Sequence, residues 1–456
     1  MKKVQGAALF LICILLMNLF SAPAYAAVPK LSVEAKAALL VDGDTGEILY
    51  EYNADEKLYP ASLTKVMTAL LVFEAVESGV LTMDQKITAP AAAFVGLSSA
   101  GSTANIKTDE VLTVEELLAC MLINSANEAA AILACAVGGT IADFVSRMNA
   151  RAAELGCDNT HFANPTGLHD PDHYTTAWDL YRITQAALKY DQFMVICDSK
   201  SWEIPETNLN GPRTLHSTNY LISNWRALGY LYSGADGIKT GHTSQAGNCL
   251  ISTARRDGQH LFGVILGANK YTYFEGPKKV EKVGSFIEMA KMFDWGFDNF
   301  ERATLITTAE TVAEARVDLS RETNYVVVHP ATDIDRLLPV DLSPADLTRT
   351  ITLHEDVFLA PIAAGQEMGS IILSYGDTVY ATVPLLAMTD VSASWILTAH
   401  YNVVGFFAQP TVKMVSLALL ALAALVLVRS SGRRRNARHG TPSQSSNKGY
   451  RGRRRF

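Results

Sequence analysis

Three short polar motifs contain the residues of this chain best suited to chemistry. They occur in the order Ser62-Leu-Thr-Lys65, Ser125-Ala-Asn127 and Lys239-Thr-Gly241. Each motif alone would arise by chance in many chains of this length. Together they supply a hydroxyl nucleophile, two amines that can act as base or cation, and an amide that both donates and accepts hydrogen bonds. The combination predicts acyl transfer through a serine.

The first motif places a serine and a lysine one helical turn apart. Helical periodicity after Pro60 predicts a helix from Ser62 to Gly79. The N–H of Ser62 would then lack an intrahelical partner and could face a developing oxyanion, aided by the helix dipole. Lys65 returns to nearly the same face and could accept the hydroxyl proton. Taken alone, the two residues would be a capping serine and a solvated lysine.

The second and third motifs supply groups around this pair. A free lysine titrates near about 10.4, so desolvation or a second cation must lower the pKa of Lys65, and Lys239 is available as that cation. Ser125 could relay a proton to a leaving amine, and Asn127 could hold Lys65 or a substrate amide. Both lie between two predicted helices, so capping of the helix at Glu128 is the alternative for each.

The third motif is expected to begin a strand and to bind a carboxylate. Gly241 would let another backbone approach, while Lys239 and Thr240 offer a charge and a hydroxyl. A peptide with a free C-terminus could pair with this strand, its carboxylate held by Lys239 and Thr240 with Ser125 as a further contact. The N–H of His242 would then be a second oxyanion donor.

The elements that must position these motifs form an α/β pattern. Ala37 to Asp42 and Glu47 to Tyr50 predict a hairpin, and strands return at Cys249 to Ala254 and Leu261 to Ala268. Helical periodicity dominates between them, at Thr113 to Leu122, Glu128 to Val137 and Ile141 to Leu155. Both ends of the domain therefore build one antiparallel sheet, with helices between and around it.

The C-terminal part changes character twice. From Ala303 to about Leu386, short apolar segments alternate with turns and predict a small all-β module, either a spacer or a stabilising appendage. A helix from about Val403 to Val428 would reach the roughly 20 residues that a bilayer needs, with a kink at Pro410 and Lys413 near an interface. An in-plane amphipathic anchor is the alternative.

Both ends of the chain indicate export and membrane attachment. Lys2-Lys3, an apolar run and Ala24-Tyr-Ala26 have the layout of a secretory signal cleaved after Ala26. The net charge of -7 hides a tail of 28 residues from Arg429 that holds ten Lys or Arg and no acid, which leaves the remainder near -17. The positive-inside tendency places this tail in the cytoplasm. The acidic folded part argues against nucleic acid as a partner.

The cysteines and histidines do not indicate a metal site. Five cysteines follow the signal without a Cys-x-x-Cys pair, so buried thiols are expected, with a Cys120 to Cys135 bridge as the minor alternative. His169 and His173 have a ligand spacing, but Pro171 between them argues against a helix and favours a surface loop. No metal and no cofactor are expected.

The segments around the motifs resemble serine-type D-alanyl-D-alanine carboxypeptidases, the low-molecular-mass penicillin-binding proteins. The matching segments are Pro60-Ala-Ser-Leu-Thr-Lys-Val-Met-Thr68, Thr160-His-Phe-Ala-Asn-Pro-Thr-Gly-Leu168 and Lys239-Thr-Gly-His-Thr243. The resemblance covers about residues 30 to 300 and, more loosely, the β module. It implies a β-lactamase/transpeptidase-like α/β fold whose antiparallel sheet has helices on both faces. Ala126, where several relatives have Gly, and the spanning type of anchor are departures.

The resemblance also implies a reaction and residue roles. The enzyme would remove the terminal D-alanine from peptidoglycan stem peptides through an acyl-serine intermediate, and β-lactam antibiotics would acylate the same serine. Ser62 would be the nucleophile, Lys65 the general base, Ser125 and Asn127 the relay and positioning groups, and Lys239 the carboxylate binder. His161 lies in a matching segment, but a structural hydrogen-bonding role is more usual for a lone histidine.

Three other functions stay open at this stage. An inert, membrane-anchored wall-binding or scaffold protein and an endopeptidase acting on peptidoglycan cross-links are two of them. A β-lactamase of the commonest class would need a Glu-x-x-Leu-Asn segment, which Glu206-Thr-Asn-Leu-Asn210 matches. This string lies nearer to Lys239 than to Ser125, the reverse of the β-lactamase order, and indicates a chance match.

The sequence therefore predicts six consecutive segments. They are a signal peptide (1–26), a catalytic domain (27–300), a β-rich domain (301–390), a linker (391–402), a membrane-spanning helix (403–428) and a basic cytoplasmic tail (429–456).

Overall fold

The computed structural model describes residues 28–97, 101–275 and 278–436. The predicted signal peptide and the tail beyond residue 436 lie outside the described residues. Two compact units are present, of which the first runs to Thr304 and includes Asp335–Asp346. The second consists of Leu305–Ile334 and the residues from Leu347 onward. The sequence did not predict that Asp335–Asp346 belongs to the first unit.

The helices and strands of the described residues are numbered in chain order. The helices are α1 (Lys65–Glu77), α2 (Val114–Leu122), α3 (Asn127–Gly138), α4 (Ile141–Glu154), α5 (Ala177–Ala187), α6 (Asp191–Cys197), α7 (Gly284–Asn299), α8 (Trp395–Ala408) and α9 (Pro410–Asn436). The strands are β1 (Ala37–Asp42), β2 (Ile48–Tyr52), β3 (Lys86–Thr88), β4 (Val111–Thr113), β5 (Ser201–Ile204), β6 (Arg213–His216), β7 (Ala235–Thr243), β8 (Gly247–Arg256), β9 (Gln259–Ala268), β10 (Lys270–Glu275), β11 (Lys278–Val283), β12 (Phe300–Ile306), β13 (Ala313–Asp318), β14 (Tyr325–Pro330), β15 (Ile334–Pro339), β16 (Thr348–Leu353), β17 (Phe358–Leu359), β18 (Glu367–Tyr375) and β19 (Thr378–Ala387).

A five-stranded antiparallel sheet forms the centre of the first unit. Its strand order is β2-β1-β9-β8-β7, so strands from both ends of the unit build one antiparallel sheet, as predicted. Every residue of β1 and β9 is buried, because helices cover both faces of the sheet. Leu39 and Val264 face the core shared with α1 and α3, whereas Leu40 and Ile265 face the core that contains α7. The expected fold class is confirmed.

The helical middle of the unit follows the predicted pattern closely. α2 begins with a capping box, in which the Thr113 side chain accepts from the N–H of Glu116 and the Glu116 carboxylate accepts from the N–H of Thr113. Thr140 caps α4 in a similar way through the N–H of Asp143. Both ends of α2, α3 and α4 lie within one residue of their predicted positions. Helices α5, α6 and α7 and the β10–β11 hairpin were not predicted.

Two predicted element boundaries are wrong. The α-helix starts at Lys65 rather than Ser62, because Ser62 lies in a 3₁₀ turn, Ala61–Thr64, that opens with Ala61 at φ +48°. The Lys239 motif lies within β7 rather than at its start. This strand begins at Ala235, since β8 extends far enough to pair with it from that residue on.

The described residues of the second unit are all-β apart from the C-terminal helices, as predicted. A six-stranded sheet has the order β16-β18-β19-β14-β13-β17. Its pairs are antiparallel except for β13 and β17, which run parallel. Strands β12 and β15 form a separate two-stranded sheet, most of whose residues belong to the first unit.

The single helix predicted over residues 403–428 is two helices in the structure. α8 begins at Trp395, inside the predicted linker, and α9 begins at Pro410. The break falls at Gln409, whose ψ of 135° is the extended conformation that a following proline favours. Within the described residues, Pro410–Ser430 is the one helical stretch that is long and apolar enough to cross a membrane alone, with a mean hydropathy of 2.4.

Candidate active site

The 3₁₀ turn that contains Ser62 lies against the edge strand of the central sheet. A Cβ atom added to Gly241 of β7 would lie 2.9 Å from the carbonyl oxygen of Pro60 and 3.1 Å from the backbone nitrogen of Ser62. Glycine therefore allows β7 to approach the turn, as the sequence suggested for this residue. The backbone N–H of Ser62 and the strand are thus close neighbours.

Lys65 is completely buried next to Ser62. Its Nζ lies 3.0 Å from Ser62 Oγ, 2.8 Å from Asn127 Oδ1 and 2.7 Å from the carbonyl oxygen of Thr166. A neutral amine has two hydrogens and one lone pair. Both hydrogens can go to the two carbonyl oxygens, which leaves the lone pair directed at the Ser62 hydroxyl.

The electrostatic surroundings favour this neutral form. Burial holds the pKa of Lys65 well below its usual value, and the positive charge of Lys239 lowers it further. The carboxylate of Glu128 opposes the shift. That carboxylate is itself occupied by Thr103 Oγ1 at 2.6 Å and the N–H of Ala104 at 2.7 Å. The Ser62–Lys65 pair thus has the geometry and the electrostatics of a nucleophile beside a base.

Ser125 and Lys239 meet on the opposite side of the same cleft. Lys239 Nζ donates to Ser125 Oγ and to the carbonyl oxygen of Thr240, both at 3.0 Å. Ser125 adopts a φ of +62°, a left-handed backbone conformation outside the right-handed helical region. Burial lowers the pKa of Lys239 to about 7, and Cys197 behind it acts in the opposite direction.

The capping alternatives for these residues do not hold. α3 begins at Asn127 and its N-cap is Ala126, which offers no side-chain hydrogen bond. The 3₁₀ turn has Pro60 at its N-cap position. Ser62, Ser125 and Asn127 therefore direct their polar side-chain atoms to the two buried lysines.

A cleft of about 440 Å³ opens over these groups. It is lined by predicted residues of all three motifs, namely Ser62, Ser125, Asn127, Thr240, Gly241 and His242. The amines of Lys65 and Lys239 lie beneath its floor. A larger cleft of about 980 Å³ lies between residues 28–36 and β2 and contains none of the motif residues.

Several residues of the site were missed from sequence. Thr218 lies 2.7 Å from Thr240, hydroxyl to hydroxyl, and Tyr220, Asn248 and Phe286 also line the cleft. No motif marks them, because they come from separate segments. Thr166, whose carbonyl oxygen contacts Lys65, was also missed. The segment Asn164-Pro-Thr-Gly167, which resembles the carboxypeptidases, could have indicated that it belongs to the site.

Other predicted features lie away from the cleft. The Glu206-to-Asn210 string packs on a distant loop, where Asn208 Nδ2 donates to the carbonyl oxygen of Asp109. His161 is exposed, and its Nδ1 lies 2.6 Å from the carbonyl oxygen of Asp172. The surface-loop prediction is wrong for His173, which is buried because it packs under the Ser62 turn.

The minor alternative for the cysteines, a bridge between Cys120 and Cys135, does not form. Both are free, as are the three other cysteines of the described residues. Cys135 is half-buried, and the other four are buried as expected.

The fold and the cleft define a class of protein: an α/β domain with an active-serine site at the edge of an antiparallel sheet. A family model described as D-alanyl-D-alanine carboxypeptidase matches residues 23–270. A second model, described as penicillin-binding protein 5, C-terminal domain, matches residues 300–393. The chain belongs to the D-alanyl-D-alanine carboxypeptidase family.

Individual relatives agree with this assignment over most of their length. The D-alanyl-D-alanine carboxypeptidase DacF of Bacillus subtilis is 32% identical over 82% of this chain and 90% of its own. DacC of Escherichia coli is 30% identical over 82% of this chain and 89% of its own. Among solved structures, penicillin binding protein 5 from Haemophilus influenzae has a TM-score of 0.65 at 27% identity, covering 80% of this chain and 100% of that one.

The lowered pKa of Lys239 makes stability depend on pH. Its pKa is about 7 in the folded protein, and a lysine in the unfolded chain titrates near about 10.4. Between these values the unfolded chain binds the extra proton, so the free energy of unfolding rises with pH, by up to about 1.4 kcal/mol per pH unit for one group. In Lys239→Met we expect a smaller rise, measured by denaturant unfolding across this window.

The exposed Lys189 provides the matched control for this measurement. Lys189→Met should keep the wild-type dependence of the unfolding free energy on pH. Equal slopes for wild type and Lys239→Met would contradict the assigned pKa.

Proposed function

We propose that this protein is a serine-type D-alanyl-D-alanine carboxypeptidase that removes the terminal D-alanine from peptidoglycan stem peptides. Its family membership supports the activity. The observation on which the proposal depends is the contact between the buried amine of Lys65 and Ser62 Oγ at 3.0 Å. The same cleft would accept β-lactam antibiotics, whose reactive amide takes the place of the scissile peptide bond.

Acylation begins when neutral Lys65 accepts the hydroxyl proton of Ser62. Ser62 Oγ then forms a bond to the carbonyl carbon of the penultimate D-alanine. The backbone N–H groups of Ser62 and His242 stabilise the oxyanion that develops. A Cβ added to Gly241, the neighbour of His242, would lie 3.1 Å from the Ser62 nitrogen, which supports this assignment. Asn127 keeps the amine of Lys65 in place through the 2.8 Å hydrogen bond.

The peptide bond breaks when its nitrogen receives a proton. Ser125 donates this proton, and the proton that Lys65 took from Ser62 passes to Ser125 in its place, so that Lys65 is neutral again. The hydrogen bond from Lys239 Nζ to Ser125 Oγ at 3.0 Å holds this hydroxyl in the cleft. D-alanine leaves as a free amino acid, and the rest of the stem peptide stays esterified to Ser62. Water, deprotonated by Lys65, then hydrolyses the ester and restores the serine.

The free carboxylate of the substrate binds at Lys239 and Thr240, with Ser125 as a further contact. A carboxylate at this position favours the charged form of Lys239, whose pKa is about 7 in the unliganded cleft. No metal or cofactor takes part in this scheme.

The chain is proposed to act on the outer side of the cytoplasmic membrane. Pro410–Ser430 has the length and composition of a membrane span. The basic residues that follow it favour a cytoplasmic tail, and the signal-like N-terminus favours export of the domains between. The boundaries remain those of the sequence-based prediction, except that helical structure already begins at Trp395.

Ser62→Ala tests the nucleophile. After incubation with penicillin, intact-protein mass spectrometry should detect one adduct on the wild-type protein and none on the variant, because the variant lacks the attacking oxygen. Ser78→Ala, on a serine just after α1 and outside the cleft, is the matched control and should acylate normally. A folded wild-type protein without an adduct would favour an inert wall-binding protein, and acylation of Ser62→Ala would show that the nucleophile is another residue.

Lys239→Ala tests the carboxylate site. Loss of a charge-assisted contact costs roughly 1.5 to 3 kcal/mol, so D-alanine release from a synthetic pentapeptide should fall about ten- to a hundredfold. Cleavage of the same peptide with an amidated C-terminus should change far less. Lys189→Ala, on an exposed lysine, is the control. An equal loss on both peptides would contradict the assigned role.

A further inference from the structure

A buried histidine beneath the Ser62 turn has no role in the mechanism above. His173 lies in an irregular segment after Pro171, yet it is 2% exposed. Its Nε2 lies 2.8 Å from the Oγ1 atom of Thr64, the residue that directly precedes Lys65. Thr64 is fully buried as well.

The directions of the hydrogen bonds through this histidine are fixed by its neighbours. The N–H of Ala163 can only donate, and it lies 3.2 Å from His173 Nδ1, so Nδ1 accepts. The neutral ring then has its proton on Nε2 and donates to Thr64 Oγ1. The Thr64 hydroxyl in turn donates to the carbonyl oxygen of Ala61 at 2.9 Å. A one-way chain therefore runs from His173 through Thr64 to Ala61.

The end of this chain is the peptide unit that contains the N–H of Ser62. The Ala61 carbonyl and the Ser62 N–H belong to one planar trans peptide and point in opposite directions. Holding the carbonyl toward Thr64 directs the N–H to the other side. On that side lies β7, where a Cβ at Gly241 would be 3.1 Å from the Ser62 nitrogen.

This peptide needs an external constraint. Ala61 has a φ of +48°, a conformation that costs a residue with a side chain free energy and persists only where the surroundings enforce it. Gly167, at φ +81°, packs so closely on the same carbonyl that an added Cβ would lie 1.8 Å from the Ala61 oxygen. The polar chain and this packing both act on one carbonyl group.

We propose that His173 and Thr64 are positioning residues that orient the N–H of Ser62 as an oxyanion donor. This inference rests on the proposed acyl-serine function. Neither residue touches substrate. Both act through the Ala61 carbonyl, so their loss should slow formation of the acyl-enzyme while binding of the ligand changes little.

Single-turnover acylation by a fluorescent penicillin separates these effects. Thr64→Val keeps the shape of the side chain and removes the donor to Ala61, so the acylation rate constant should fall about tenfold or more, less than the 10²- to 10³-fold of a deleted oxyanion donor. His173→Phe should reduce it in the same direction. The dissociation constant of the initial complex should stay within about twofold, since the carboxylate site is intact.

A rescue variant and a double variant distinguish positioning from general stabilisation. His173→Gln can still donate to Thr64 and should recover most of the rate lost in His173→Phe. Thr64→Val combined with His173→Phe should be no slower than Thr64→Val alone, because both changes break one chain. Thr184→Val removes a buried hydroxyl that bonds only the carbonyl oxygen of Leu180 within α5, and it should acylate at the wild-type rate.

Normal acylation by folded Thr64→Val would overturn the inference, as would rate losses that add in the double variant. Thermal unfolding of each variant shows that the fold is retained. If His173→Phe does not fold, the acylation rate constant of Thr64→Val alone tests the inference. A wild-type protein that forms no acyl-enzyme would instead contradict the proposed function itself.

Discussion

The burial of the Lys65 amine beside a serine hydroxyl is the constraint on which the site depends. An ammonium group is costly to bury without a paired carboxylate, and the carboxylate of Glu128, which favours the charged form, is engaged by hydroxyl and amide donors. The neutral amine avoids this cost, because two carbonyl oxygens accept its hydrogens and its lone pair faces Ser62. The condition that makes the lysine stable in the interior also makes it a base.

The architecture brings three distant parts of the chain to this amine. α1 provides Lys65 on its first turn, α3 provides Asn127 on its first turn, and the loop before α5 provides the carbonyl of Thr166. The central sheet supplies β7 as the opposite wall, with Lys239 beneath the cleft. Since two cores pack both faces of that sheet, the wall is a rigid element, which suits a site whose donors must be held before reaction.

Local patterns predicted what depends on local sequence. Helical periodicity and spacing predicted that Ser62 and Lys65 lie together, and the apolar strands at both ends of the unit predicted that these ends form one sheet. Contacts between segments far apart in sequence were not predictable in this way. Thr166 reaches Lys65 across 101 residues, and His173 reaches Thr64 across 109. The sequence around His173 is typical of a surface loop, and only tertiary packing buries the His173 side chain.

The protonation state of Lys65 is the most direct test of the account. Lysines labelled with ¹³C at the ε-carbon give NMR signals that report the charge of each amine, and the signal absent from Lys65→Met identifies Lys65. The account predicts an uncharged Lys65 at a pH where ordinary lysines, with pKa values near about 10.4, are still protonated. A Lys65 signal that titrates together with the exposed lysines would contradict it.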